Sequence, residues 1–186
     1  MAEPAVTTTS LGAALRDVIQ HPVASLLGAW NWKAAAFSAM IRAGIFFATN
    51  LRAGHQKALQ AMLVEATFAI FAAGVMAAFT QRLRTTQPLW ATAMVVWLGM
   101  PTAMVTAQYT VHHLSGTAHV RAGLIASFCF ASIASGFNWY AQRKGVMLSG
   151  DGEPSFARDL RAIPGVILDF VLAGPKTVLR AMSSGR

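Results

Sequence analysis

Two neighbouring apolar segments, Ala34–Asn50 and Ala58–Phe79, constrain this chain more than any other feature. Each approaches or exceeds the length a helix needs to cross ~30 Å of hydrocarbon at 1.5 Å per residue. Each also carries one ionisable residue deep inside, Arg42 in the first and Glu65 in the second. A charge left alone in hydrocarbon costs at least ~2.5 kcal/mol. The two side chains are therefore expected to face each other as an intramembrane ion pair. Their depths differ by only ~4–5 Å along the helices, which an arginine side chain can bridge.

Two further runs read the same way, Leu89–Tyr109 and Val120–Tyr140. Gly99 and Pro101 interrupt the first of these, and the missing proline N–H predicts a kink. The second ends in Trp139, Tyr140, Arg143 and Lys144, aromatic and basic residues suited to a membrane interface. Only 12% of the chain is charged and 55% is hydrophobic, whereas soluble domains carry roughly a quarter charged residues. The expected fold class is all-α: an integral membrane four-helix bundle over residues 34–144. An interfacial segment, residues 1–33, precedes it, and a tail of residues 145–186 lies on the cytoplasmic face.

Both flanks read as amphipathic interfacial helices. Thr7–Ser10 offer an N-cap to Leu11–Gln20, where Leu11, Leu15, Val18 and Ile19 recur at helical spacing. His21-Pro22 ends that helix. Trp30 and Trp32 beside Lys33 are the signature of a membrane interface. In the tail, Ser155 caps Phe156–Ile163, and Pro164 and Pro175 each open another short piece. None of these pieces is long enough to span, and all suit the anionic cytoplasmic leaflet. Met1–Ser10 has no basic n-region, so no cleavable signal peptide is expected.

The net charge of +8 does not imply nucleic acid, because the charges sit at segment ends rather than on one soluble face. They orient the chain instead. Of the 15 lysines and arginines, only Arg52, Lys57 and Arg121 fall on one side of four spans, and Arg42 lies within a span. All the others fall on the opposite side. A chain whose first segment did not cross would divide them far more evenly. The positive-inside rule then places both termini in the cytoplasm, and a bacterial inner membrane is the expected location.

Each span has one polar or small side. Ala61, Glu65, Ala69, Ala73 and Ala77 form a ridge at i+4 spacing on the second, and Gly123, Ser127, Ala131 and Ser135 form one on the fourth. Such ridges let helices approach closely in lipid. The expected polar interior comprises Ser38 and Asn50 on the first span, Thr102, Thr106 and Tyr109 on the third, and Ser135 and Asn138 on the fourth. His55, His112, His113 and His119 all reach the outer face, where imidazoles could hold a metal or a haem edge. Their spacing matches no ligand motif, and histidines at helix ends ordinarily serve as interfacial hydrogen-bonders. Met100 and Met104 read as packing. The single Cys129 permits neither a disulfide framework nor a Cys-based zinc site.

No pair of carboxylates, activated nucleophile or phosphate loop assembles from the spans. The expectation is a non-catalytic packing or interaction subunit. Its partners are the lipid bilayer and a second copy or another membrane protein. The alternatives are a small oligomeric transporter using Arg42–Glu65, and a haem- or metal-binding protein using the outer histidines. No cofactor is singled out.

Overall fold

A computed structural model describes residues 9–114 and 121–184; the side chains of some helix residues, among them Glu65, His112 and His113, lie outside the described set. The described chain is mostly helical. Among the described residues, three stretches are long and apolar enough to cross a membrane: Trp32–Ala53, His55–Arg82 and Leu89–Thr106, with mean hydropathies of 1.3, 2.0 and 1.4.

Helix α1 spans Leu11–Gln20, and α2 spans Trp32–Asn50. Asn31 caps α2, its Oδ1 accepting from the Ala34 N–H at 3.0 Å. A single 3-10 turn, Leu51–Ala53, and Gly54 at φ +102° reverse the chain into α3, His55–Arg82. The two helices pack closely. Ala69, Ala77 and Ala78 of α3 are fully buried.

Helix α4, Leu89–Met94, runs through a π-helical turn, Val95–Gly99, into α5, Met100–Leu114. The turn lies immediately before Pro101. A proline ring collides with the carbonyl four residues back, and one extra residue in the preceding turn relieves that collision. The irregularity expected at Pro101 is thus absorbed upstream of it. One inserted residue rotates everything beyond it by about 100°. Thr102, Thr106 and Tyr109 lie on an exposed side of α5 rather than in the interior expected of them.

Helix α6, Arg121–Arg143, packs against α3 and α5. It ends in a Schellman motif. Val146 N–H donates to Ala141 O at 3.0 Å and Gly145 N–H to Gln142 O at 3.1 Å, with Gly145 at φ +74°. The left-handed residue this motif requires is most easily glycine.

Two indoles lie directly on glycines. A Cβ on Gly136 of α6 would stand 2.2 Å from Trp97 Cζ2, and one on Gly74 of α3 would stand 1.8 Å from Trp30 Nε1. Either Gly136→Ala or Gly74→Ala displaces a rigid ring and is expected to destabilise by about 1–3 kcal/mol. Gly44, in α2, has nothing within 4 Å of its virtual Cβ. Gly44→Ala is therefore expected to stabilise by about 0.5–1 kcal/mol through backbone entropy. Denaturant titration of the three variants in mild detergent, followed by far-UV circular dichroism, checks this opposite ordering.

The two flanking segments dock onto one end of these helices. Ser10 caps α1 as expected, accepting from Ala13 N–H at 3.2 Å. Strand β1, Thr9–Ser10, pairs in parallel with β2, Thr86–Gln87. Leu11, Ala14 and Leu15 of α1 pack with Leu83, Val96 and Met100. Trp30, read from sequence as interfacial, lies on α3 instead. Lys33, read the same way, is 3% exposed and buried against the C-terminal tail.

That tail is one helix, α7, Phe156–Ser184, and not the short proline-separated pieces expected. Pro164 lies on its exposed side. The opposite side is held by burial: Ile163 and Val166 pack with Ala141, Val146 and Met147. Phe170 stacks on Trp97 at 6.0 Å and meets Phe137 and Tyr140 at 5.5 Å each. Tertiary contact on one face overrides the local cost of proline on the other.

Candidate functional site

Polar chemistry gathers in two places, a knot at the basic end of the helices and a cavity among them.

The knot joins distant parts of the chain. Asn31 is fully buried. Its Nδ2 donates to Gln81 Oε1 and to Met147 O, each at 2.8 Å. Gln81 in turn donates to Ser149 O at 2.7 Å and accepts from Ser149 N–H at 3.1 Å. Met147, at φ +60°, is a non-glycine in the left-handed region, where an L side chain is disfavoured. Its carbonyl is fixed there by Asn31. Trp139 Nε1 donates to Leu83 O at 3.1 Å, and Gln142 Nε2 to Ala77 O at 2.9 Å.

Around the knot, acids of the flanking segments meet bases at the helix ends. Asp17 of α1 pairs with Arg82, Glu153 with Arg84 at 3.8 Å, and Asp169 of α7 with Lys144. The hydrogen bond to Asp169, with a second to Tyr140, holds the Lys144 ammonium above its ordinary pKa. Lys33 and Asp159 form the buried member of this set, at 2.9 Å, and Lys33 also donates to Pro154 O. Nothing in the local sequence pairs these acids with those bases. A signal was available for one: Lys33 sits in the first turn of α2, where the helix dipole opposes a cation.

The cavity has a volume of about 300 Å³ and lies between α2, α3, α5 and α6. Its walls are mostly apolar. Phe68, Ala72 and Met76 come from α3, Met104 from α5, and Phe130 and Ala134 from α6. Its polar groups are Ser38 and Arg42 of α2 and Ser135 and Asn138 of α6. Four of the residues singled out from sequence therefore share one cavity. The Arg42 guanidinium stands 5.6 Å from the Phe68 ring centre and 5.7 Å from that of Phe130, within cation–π range. Arg42 has further engagement within the chain. The Glu65 side chain expected to pair with it lies outside the described residues.

The remaining candidates lie elsewhere. Asn50 ends α2, its amide donating to Phe46 O at 2.8 Å and contacting Thr49 Oγ1 at 3.4 Å. His55 is exposed at the start of α3. His119 lies outside the described residues, as do the side chains of His112 and His113. Among the described residues, no three His, Cys, Asp or Glu side chains come together as a metal site requires.

No protein family, characterised protein or solved structure matches the chain.

Proposed function

We propose that the chain is a non-catalytic integral membrane protein that acts by packing against partners or further copies of itself. Helices α2, α3, α4–α5 and α6 would form a four-helix bundle in the inner membrane, with both termini cytoplasmic. The observation that carries this reading is where the polar side chains go. Those of the knot and its ion pairs fasten the flanking segments to one end of the helices. The sides of the helices, by contrast, expose Ile45, Leu63, Val64, Phe71, Trp90 and Ile133. An apolar flank below a rigid polar cap suits a protein held in lipid and recognised through its surfaces. Docking of α1 and α7 beside Arg82, Arg84, Arg143 and Lys144 supports placing both flanks on the positive, cytoplasmic side.

Native mass spectrometry of protein extracted from its own membranes in mild detergent tests the reading. A homo-oligomer or a stoichiometric membrane-protein complex is the expected result. A strict monomer with nothing co-purifying would overturn it.

A further inference from the structure

Several hydroxyls on the membrane helices are satisfied by their own helix. Thr49, Thr67 and Thr110 each donate to the carbonyl one turn back, those of Ile45, Leu63 and Thr106, at 2.9 Å. This is how a helix satisfies a hydroxyl without help. Ser38 and Ser135 do not do this, although each has a carbonyl one turn back. Among the described residues, neither they nor the Asn138 amide makes a side-chain hydrogen bond; the buried Ser132 Oγ of α6, outside the cavity, makes none either. Ser135 is only 5% exposed. Ser38, Ser135 and Asn138 all line the one cavity described above, where their polar groups are open to an occupant.

The cavity's other wall points to where a partner comes from. Ile41, Phe68 and Phe130 line it and are also 46%, 54% and 60% exposed on the outer flank of the helices. In the membrane placement proposed above, on which this inference rests, that flank faces hydrocarbon. The volume of about 300 Å³ lies at the bottom of the ~300–1,000 Å³ range of small-molecule pockets. It suits one hydrocarbon chain rather than two.

We propose that this cavity binds a single hydrocarbon chain ending in an oxygen head group, taken laterally from the bilayer. The head, a carboxyl or an ester carbonyl, meets Ser38, Ser135 and Asn138. The chain lies against Met76, Met104 and the Phe68 and Phe130 rings, and leaves past Ile41. Arg42 borders the site. Its guanidinium carries five N–H donors, so its other engagements do not prevent a contact with the head.

The test uses the full-length protein in nanodiscs, with decanoic acid, methyl decanoate and decane as probes and native mass spectrometry as the readout. A single saturable adduct is expected for the acid, the ester or both, with decane binding about tenfold more weakly or less. Tighter binding of the acid would identify a free fatty acid as the source. Equal binding would identify an ester carbonyl, as lipids carry. Ala72→Leu and Ala134→Leu fill the cavity from two different helices, so a folding defect in one leaves the other informative. Each is expected to abolish the adduct. Ser38→Ala with Ser135→Ala is expected to erase the preference for acid or ester over decane. Equal binding of all three probes, or adducts unchanged in both filled variants, would overturn the proposal. So would the absence of any saturable adduct. Resistance of the protein to carbonate extraction from membranes reports its placement separately from ligand binding.

Discussion

Replacing Asp159 by alanine is expected to destabilise the protein by about 3–5 kcal/mol, the cost of stranding a buried charge. The carboxylate sits 2.9 Å from Lys33 Nζ, and the two side chains are 2% and 4% exposed. Without it the ammonium keeps, among the described residues, the Pro154 carbonyl. It also stays in the first turn of α2, where the helix dipole opposes a positive charge. Asp159 has a favourable position of its own, in the first turn of α7. Its loss therefore removes a helix-terminal interaction as well as a counter-charge. The reverse change, Lys33→Met alone, strands the carboxylate and is expected to cost a similar amount. Both changes together, Lys33→Met with Asp159→Leu, replace the pair by apolar groups of like size. Such replacements are often neutral or stabilising. Chemical denaturation of wild type, Lys33→Met, Asp159→Leu and the double variant closes a double-mutant cycle, with Asp159→Ala measured beside it. A large coupling identifies the pair as the pin between α2 and α7. An Asp159→Ala cost below about 1 kcal/mol would place the pair in the weak class of exposed ion pairs.

The same pair shows where sequence reading stops. The long apolar helices are legible because long apolar runs leave few alternatives, and Ser10 and His21-Pro22 mark the ends of α1 by local chemistry alone. Lys33 and Asp159 are separated by 126 positions, and nothing local to either announces the other. Tryptophan beside lysine describes an interface correctly on average. Here Trp30 is taken by Gly74 and Lys33 by Asp159, because a flanking segment folds back onto the helices. Pro164 and Pro175 suggest breaks for an equally local reason. Packing of Ile163, Val166 and Phe170 supplies what proline removes.

The candidate site divides along similar lines. Ser38, Arg42, Ser135 and Asn138 converge because α2 and α6 are regular, so spacings of three and four carry a face from one turn to the next. Thr102, Thr106 and Tyr109 do not join them. Their spacing is also regular and they share a face of α5, but that face is exposed. Polarity alone does not say whether a face turns toward the other helices or away from them.

Replacing Asn31 by alanine is expected to cost about 2–4 kcal/mol, combining a lost cap with lost buried hydrogen bonds. The side chain does two jobs with its two ends. Oδ1 caps α2 through the Ala34 N–H, and Nδ2 donates to Gln81 and to Met147 O. Gln81 Oε1 retains a second donor in Ser149 N–H, so the larger loss falls on Met147. Its carbonyl is left unmet in a loop already held at φ +60°. Aspartate separates the two jobs. Asn31→Asp keeps the capping acceptor but presents a carboxylate oxygen to two other oxygens, in a site 0% exposed. Ionised aspartate has no donor to offer them. The expected order of stability is therefore wild type, then alanine, then aspartate, although aspartate is the closer match in shape and a good N-cap. Ser10→Ala removes an exposed cap with no such second role and is expected to cost about 1 kcal/mol or less. Should aspartate prove more stable than alanine at position 31, capping of α2 would be the residue's main task. The link from α3 to the loop before α7 would then rest on Gln81 and Ser149 alone.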